Sequence, residues 1–335
     1  MLALIVRRLA VGVLIVWLVS ILVFLVTMLL PGDAAQTILG RQANPTALAL
    51  LQKQMHLNDP AIVQYGRWLG DMVTGHWGKS LVSQDSVSSL VLTAAENTGL
   101  VMLVTTLIAT PLALIVGVAG ALRSEGALDH VLSVATLILV ALPAFVIAVS
   151  LIFLLATTVT HVLPAASVID PSASLLSQWK LLALPVLTLV LGVVSYPIRM
   201  IRASMVEVLQ SDYILLARLH GLASPRVIIR HALPNAVATT IQATALNLIF
   251  LAGGVVVVET VFSYPGIGYT FVQAVSDRDI PVIQTLVVLL ATFYVVVNLV
   301  ADVLVILVTP RLRVDARKAA DADEPVMLAY EPISS

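Results

Sequence analysis

Three sets of residues in this sequence are of types that do chemistry. Gly75, Gly78, Lys79 and Ser80 lie in the run GHWGKS, which matches the end of a phosphate-binding loop. That loop also needs a glycine at position 73, where this chain has valine, and a preceding strand whose turn lets backbone N–H groups cradle phosphate. Nucleotide binding by this chain is therefore not expected. None of the 6 histidines pairs with a second histidine or a carboxylate at the helical spacing of H-E-x-x-H, and no metal site is expected. The absence of cysteine removes disulfides, a thiol nucleophile and thiolate metal ligation. Two acids remain, Glu259 and Asp302, each in apolar surroundings where an ionisable group is costly and marks either a function or a pairing. Asp302 is expected to pair locally with Arg311 or Arg313, or to sit at a contact between subunits. Glu259 is the one acid that could open a proton path from the opposite end. No Ser-His, Asp-Asp or His-Glu constellation suits an intramembrane enzyme, and the chain is read as non-catalytic.

The elements that hold these residues follow from composition. Of 335 residues, 59% are hydrophobic and only 11% charged, with a mean hydropathy of +1.03. That balance belongs to a membrane protein. A net charge of -1 gives no basic surface with which to neutralise phosphates, so nucleic acid is not a partner. A hydrocarbon core about 30 Å thick takes about 20 apolar residues to cross as a helix. Six runs qualify, at about Leu9–Leu30, Gly99–Leu122, Val131–Thr158, Leu181–Pro197, Ala236–Val258 and Val282–Thr309. The fold expected is an all-α integral membrane protein of six transmembrane helices, with Pro143, Pro185 and Pro197 placed to kink spans three and four. The first run is too long for a signal peptide and lacks a small-residue cleavage site, so it reads as an anchor.

Six spans put both termini on one face. Twelve of the 18 basic residues fall on the termini and the two loops of that same face: Arg7, Arg8, Arg123, Arg199, Arg202, Arg218, Arg226, Arg230, Arg311, Arg313, Arg317 and Lys318. Positive charge stays inside, which makes both termini cytoplasmic. The organisation expected is residues 1–30 as cytoplasmic N-terminus and first span, 31–98 as an extracytoplasmic loop, 99–309 as the core of spans two to six, and 310–335 as a mobile tail. Within the long outer loop, helix-like stretches at Pro45–His56 and Pro60–Val73 predict a small helical cap between the first two spans.

Residues 201–235, between spans four and five, are too polar to span and too patterned for a plain connector. Leu215, Leu216, Leu219 and Leu222 recur at helical spacing. Gly221 suits a left-handed helix end, Ser224 and Pro225 suit a new helix start, and Pro234 suits its stop. A helix, a sharp turn and a second short helix should face the cytoplasm, with Asp212, Arg226, Arg230 and His231 on or near them. Such a projection suits a cleft on a soluble partner; the plainer reading is an amphipathic loop lying on anionic headgroups. On the outer face, residues 259–281 gather Pro265, Gly266 and Gly268 among Phe262, Tyr264, Tyr269 and Phe271. Irregular backbone at membrane depth is tolerated only inside protein or beside water. This predicts a short re-entrant or gate-like hairpin at the outer mouth, involving Glu259 through Asp279, as against an ordinary loop with an aromatic belt.

The loop at 201–235 resembles that of permease subunits of binding-protein-dependent ABC importers, through Ala217, Gly221, Leu233 and Pro234. The leading acid and first alanine of that family are here Leu215 and Leu216, with Asp212 the nearest acid upstream. The runs DY, AR, GL and RHALPNA, the first-span ending FLVTMLLPGDAA, the outer run HLNDPAIVQYGRWLGDMVTGHWGKSL and ETVFSYPGIGYTFVQAVSDRDIPVIQ are similar to the B-type subunit of dipeptide and oligopeptide importers. The resemblance runs from about Ile5 to Arg313. It implies a bacterial inner-membrane permease that pairs with a second, homologous permease and is gripped by two cytoplasmic ATPase subunits. It further implies peptide received from an extracytoplasmic binding protein. ATP and Mg would sit on the ATPases, with no cofactor on this chain and lipid around it. Coupling would pass through Asp212, Ala217, Gly221 and the segment to Pro234, so a bulky β-branched residue at Gly221 should abolish transport. Relatives carrying nickel complexes, sugars or haem leave those substrates open, and a carrier driven by an ion gradient through Glu259 and Asp302 is the rival from another class.

Overall fold

The structure is a computed structural model that describes residues 2–29, 44, 46, 49, 59–159, 161–170, 175–220 and 224–308. The first span is α1 (Leu2–Leu29). The predicted outer helix at Pro45–His56 falls almost wholly outside the described residues, whereas its neighbour is present as α2 (Ala61–Thr74), closed by Gly75 in the left-handed region at φ +82°. Helix α2 lies against the C-terminal half of α1. Tyr65 and Trp68 bring their ring centroids to 5.4 and 5.7 Å from Phe24, and the Tyr65 hydroxyl stands 2.9 Å from Ser20 Oγ.

Helix α3 (Val87–Leu122) begins well before the span read for it. Its 36 residues rise about 54 Å, so its first turns project beyond the hydrocarbon. Polar residues such as Ser88, Glu96 and Asn97 hide those turns from a search for apolar runs. The third predicted span is a pair, α4 (Ala127–Ala141) and α5 (Ala144–Leu151), the latter continued by a π-helical segment at Ile152–Thr157, with a bend of 105° between them. Pro143 explains the bend: it donates no N–H, and its ring forces Leu142 out of helical dihedrals to φ -84°, ψ 125°.

Helix α6 (Trp179–Leu209) runs unbroken through Pro185 and Pro197 and on past the apolar stretch. Each proline frees the carbonyl four residues earlier, and each freed carbonyl has found another donor. Ser167 Oγ donates to the Leu181 carbonyl at 2.5 Å, and Asn247 Nδ2 donates to the Val193 carbonyl at 2.9 Å. With those groups satisfied, the prolines stay inside a continuous helix. After α7 (Asp212–Leu219) come the single turn α8 (Ser224–Val227), a π-helical turn at Ile228–Ala232 and α9 (Leu233–Phe262). Pro234 does not stop a helix here. It is the second residue of α9, where the backbone N–H has no intrahelical partner and proline's loss of it costs nothing. Helices α10 (Ile267–Asp277) and α11 (Ile280–Val308) complete the chain.

Five of these helices are long and apolar enough to cross a bilayer, and the bent α4–α5 pair makes a sixth if it counts as one span. The protein is thus a multi-pass, nearly all-helical membrane protein. Its packing centre is α6 between α3 and α9. Gly117 permits the closest approach there, since a Cβ on it would stand 3.0 Å from the Ile198 carbonyl and 2.9 Å from Ile201 Cβ. Leu184, Leu189, Leu251, Phe262 and Tyr264 are buried together in this core.

Candidate functional sites at the two membrane faces

At its C-terminal end α6 passes through a tight turn into α7, whose Ile214 and Leu215 N–H groups both donate to the Ser211 carbonyl at 3.1 Å. Ile214 is fully buried and pins this short helix, while Tyr213, Leu215, Leu216 and Leu219 are exposed. Asp212 is exposed in the first turn, where its charge suits the helix dipole, and Ala217 is half-buried. Gly221 lies outside the described residues, as does Leu222. Beyond them Arg226 and Arg230 are exposed, Val227 and Ala232 are buried, Leu233 is half-buried and Pro234 exposed; His231 falls within the π-helical turn. The segment is seated on the bases of α6 and α9, where Thr239 Oγ1 donates to Ser204 Oγ at 2.8 Å. An exposed apolar face on a short helix pinned by one buried residue is a surface made to be covered.

At the C-terminal end of α9, the segment expected to form a gate-like hairpin is a turn followed by a helix, α10. Helix α9 ends at Phe262, fully buried, and Ser263 turns the chain at φ +51°. The Glu259 carboxylate, also buried, accepts hydrogen bonds from Thr98 Oγ1 at 2.6 Å, from the Gly268 N–H at 2.7 Å and from the Tyr269 N–H at 3.4 Å. Thr98 Oγ1 in turn accepts the Ile267 N–H at 2.8 Å. The unsatisfied first N–H groups of α10 are thus capped by two side chains from outside it. Gly266 and Gly268 are required by closeness: a Cβ on the first would overlap the Glu259 carboxylate, and on the second the Val256 backbone. Tyr264 donates its hydroxyl to the Asn97 carbonyl at 2.8 Å, and Asn97 Nδ2 donates to the Pro265 carbonyl at 2.8 Å. Burial pushes the Tyr264 phenol well above its ordinary range, so it stays a donor.

The far end of α10 is tied down as well. Buried Asp279 accepts from Ser80 Oγ and, at 3.1 Å, from the Leu81 N–H, fixing the segment between α2 and α3 to the turn between α10 and α11. Lys79, in the run that resembled a phosphate loop, instead forms a bridge with Ser86. Among the described residues no group of three or more His, Asp or Glu could hold a metal.

Two further polar pairs cross between helices. Asp302 pairs with Arg8 of α1; Arg311 and Arg313, the partners expected, lie outside the described residues. The distance along the chain, 294 residues, hid the partner. Asp129 on α4 takes Arg202 of α6 with both carboxylate oxygens, and its Oδ2 also accepts the Glu125 N–H at 3.1 Å. The sequence reading missed Thr98, Asn97 and Asp129. Only Asp129 carried a signal, as a lone acid at the start of an apolar run.

Two family models match this sequence, "Binding-protein-dependent transport system inner membrane component" over residues 109–314 and the N-terminal component of the same systems over residues 1–106. A probable peptide ABC transporter permease of Sinorhizobium fredii is 33% identical over 92% of this chain and 98% of its own length. The oligopeptide transport system permease AppB of Bacillus subtilis is 33% identical over 93% and 99%, and the glutathione transport system permease GsiC of Salmonella paratyphi A 32% over 88% and 94%. Among solved structures, the MetNI methionine ABC transporter in an inward-facing form covers 66% of this chain and 96% of its own, at 19% identity and a TM-score of 0.52, which speaks to the fold.

Proposed function

Because the chain belongs to the family of binding-protein-dependent transport system inner membrane components, we propose that it is a permease subunit of an ATP-driven importer of short peptides. Such importers work with ATPases and a binding protein; here the partners proposed are two cytoplasmic ATPase subunits, a second homologous permease and an extracytoplasmic peptide-binding protein. The chain itself is proposed to be non-catalytic, with ATP and Mg held by the ATPases, and to lie in the inner membrane with both termini cytoplasmic.

The observation that carries this reading is α7. Its exposed Tyr213, Leu215, Leu216 and Leu219 form an apolar knob fixed by Ile214 between two long spans. A knob of this kind fits a cleft on a soluble subunit, and it joins α6 along the chain and packs on the turn that leads into α9. Asp212, Ala217, Gly221, Arg226, Arg230, His231, Leu233 and Pro234 are proposed as the coupling segment. At the other face, α10 with Glu259, Phe262, Tyr264, Pro265, Gly266, Gly268 and Asp279 is proposed as the outer gate. The peptide assignment draws on relatives named for peptide, oligopeptide and glutathione transport; none of these is named for nickel, sugar or haem. An ion-gradient carrier has less to work with, since Glu259 accepts three hydrogen bonds and Asp302 is paired with Arg8.

The test is isolation of the chain from native membranes in mild detergent, followed by reconstitution of what co-purifies. Two ATPases, a second permease and ATP-dependent peptide uptake are expected. A stable chain recovered alone, with flux that follows an ion gradient and ignores ATP, would overturn the reading.

A further inference from the structure

A cleft of about 830 Å³ opens between α4, α6 and α9. Two arginines one turn apart on α6, Arg199 and Arg202, line it. Their situations differ. Arg202 is neutralised by both oxygens of Asp129. Arg199 is exposed and, among the described residues, has no ion-pair partner. The cleft therefore carries one uncompensated positive charge. Arg199 lies two residues beyond the apolar run that ends at Pro197 and is exposed, so its guanidinium keeps contact with water while its stem lines the cleft.

The rest of the lining has the character of a site for a small amphipathic solute. Tyr196 and Phe250 offer exposed ring surface. Asn247 is held in place by its bond to the Val193 carbonyl that Pro197 leaves free. Gly192 keeps the wall open, with no atom within 4 Å of where a Cβ would stand. By contrast, the groove between α1 and α11 is walled mostly by aliphatic side chains, which suits a lipid chain.

We propose that this cleft is a peptide-binding station of the translocation path, in which Arg199 takes the C-terminal carboxylate of a peptide and Tyr196 and Phe250 cover its side chains. The chemistry supports both parts. A fork of guanidinium N–H groups matches a carboxylate, and a hydrogen bond between charged groups is about twice as strong as a neutral one. A single such contact also leaves the ligand free to move on, as a path requires. This inference rests on the peptide-importer reading.

The test is equilibrium binding of radiolabelled trialanine, and of its C-terminal amide, to the whole detergent-purified importer without the binding protein. The wild-type complex should bind the free acid at least about tenfold more tightly than the amide. Arg199→Gln should abolish that preference, and Arg199→Lys should keep most of it. Equal binding of acid and amide by the wild type overturns the proposal without any variant, as does an unchanged preference in Arg199→Gln. Absence of any binding, with ATP-driven uptake of the same peptide intact, overturns it too. Absence of ATP-driven uptake in the wild-type complex would instead be a failure of the importer reading.

Discussion

Glu259 lies on α9 and Gly268 on α10, nine residues later, and the carboxylate of the first accepts the backbone N–H of the second at 2.7 Å. The same carboxylate reaches Thr98 on α3, so one buried side chain ties together two spans and the helix between them. What this linkage and the others contribute is open to measurement.

Glu259→Ala leaves Thr98 and two N–H groups of α10 without their acceptor. A buried group left unpaired costs about 1–3 kcal/mol. The variant complex should unfold at lower temperature in detergent, with Glu259→Gln, which keeps one oxygen, falling between it and the wild type. An Ala variant as stable as the wild type would show that the cap does not hold α10.

Gly268→Ala places a Cβ against the Val256 backbone, which cannot move aside as a flexible side chain can. Overpacking of this kind costs about 1–3 kcal/mol. Lower accumulation in the membrane and loss of uptake are expected. Gly70→Ala, at a helical glycine with open space around it, serves as the neutral comparison.

Asp129→Ala leaves Arg202, 33% exposed between α4 and α6, without its carboxylate partner. Removing one partner of a pair is worse than replacing both by apolar groups. Thermal unfolding should therefore rank the double variant Asp129→Leu with Arg202→Met above Asp129→Ala. The reverse order would mean that leaving Arg202 unpaired carries no penalty.

Leu216→Glu and Leu219→Glu alter only exposed positions of α7. The chain should reach the membrane in normal amount yet recover about tenfold less ATPase subunit on purification, a loss of about 1.4 kcal/mol. Ile214→Ala acts differently, by removing the anchor, at a cost of about 2–5 kcal/mol. It should increase proteolytic cleavage around α7. Full ATPase recovery in both Glu variants would remove α7 from the interface.

Proteolysis and unfolding of these variants bear on elements that differ in how far the sequence announced them. The spans were legible because a bilayer imposes one demand, an apolar run of sufficient length, and composition alone meets or fails it. In residues 201–235 the leucine spacing marked α7 and Ser224 with Pro225 marked the next helix start, both local signals, whereas Pro234, read as a stop, lies inside α9. The start of α3 and the end of α6 were not legible, since the first turns of α3 and the last turns of α6 are polar and leave the hydrocarbon.

The sequence by itself determined that this chain crosses the membrane several times, that its spans are helices, and which segments between them are patterned enough to work. Only the tertiary structure decided which polar groups meet. Asp302 finds Arg8 across 294 residues, Glu259 finds Thr98 across 161, and Asn247 finds the carbonyl that Pro197 leaves free. In hydrocarbon each of these groups must have a partner. Where that partner lies depends on which helix packs beside which, and no local pattern records that.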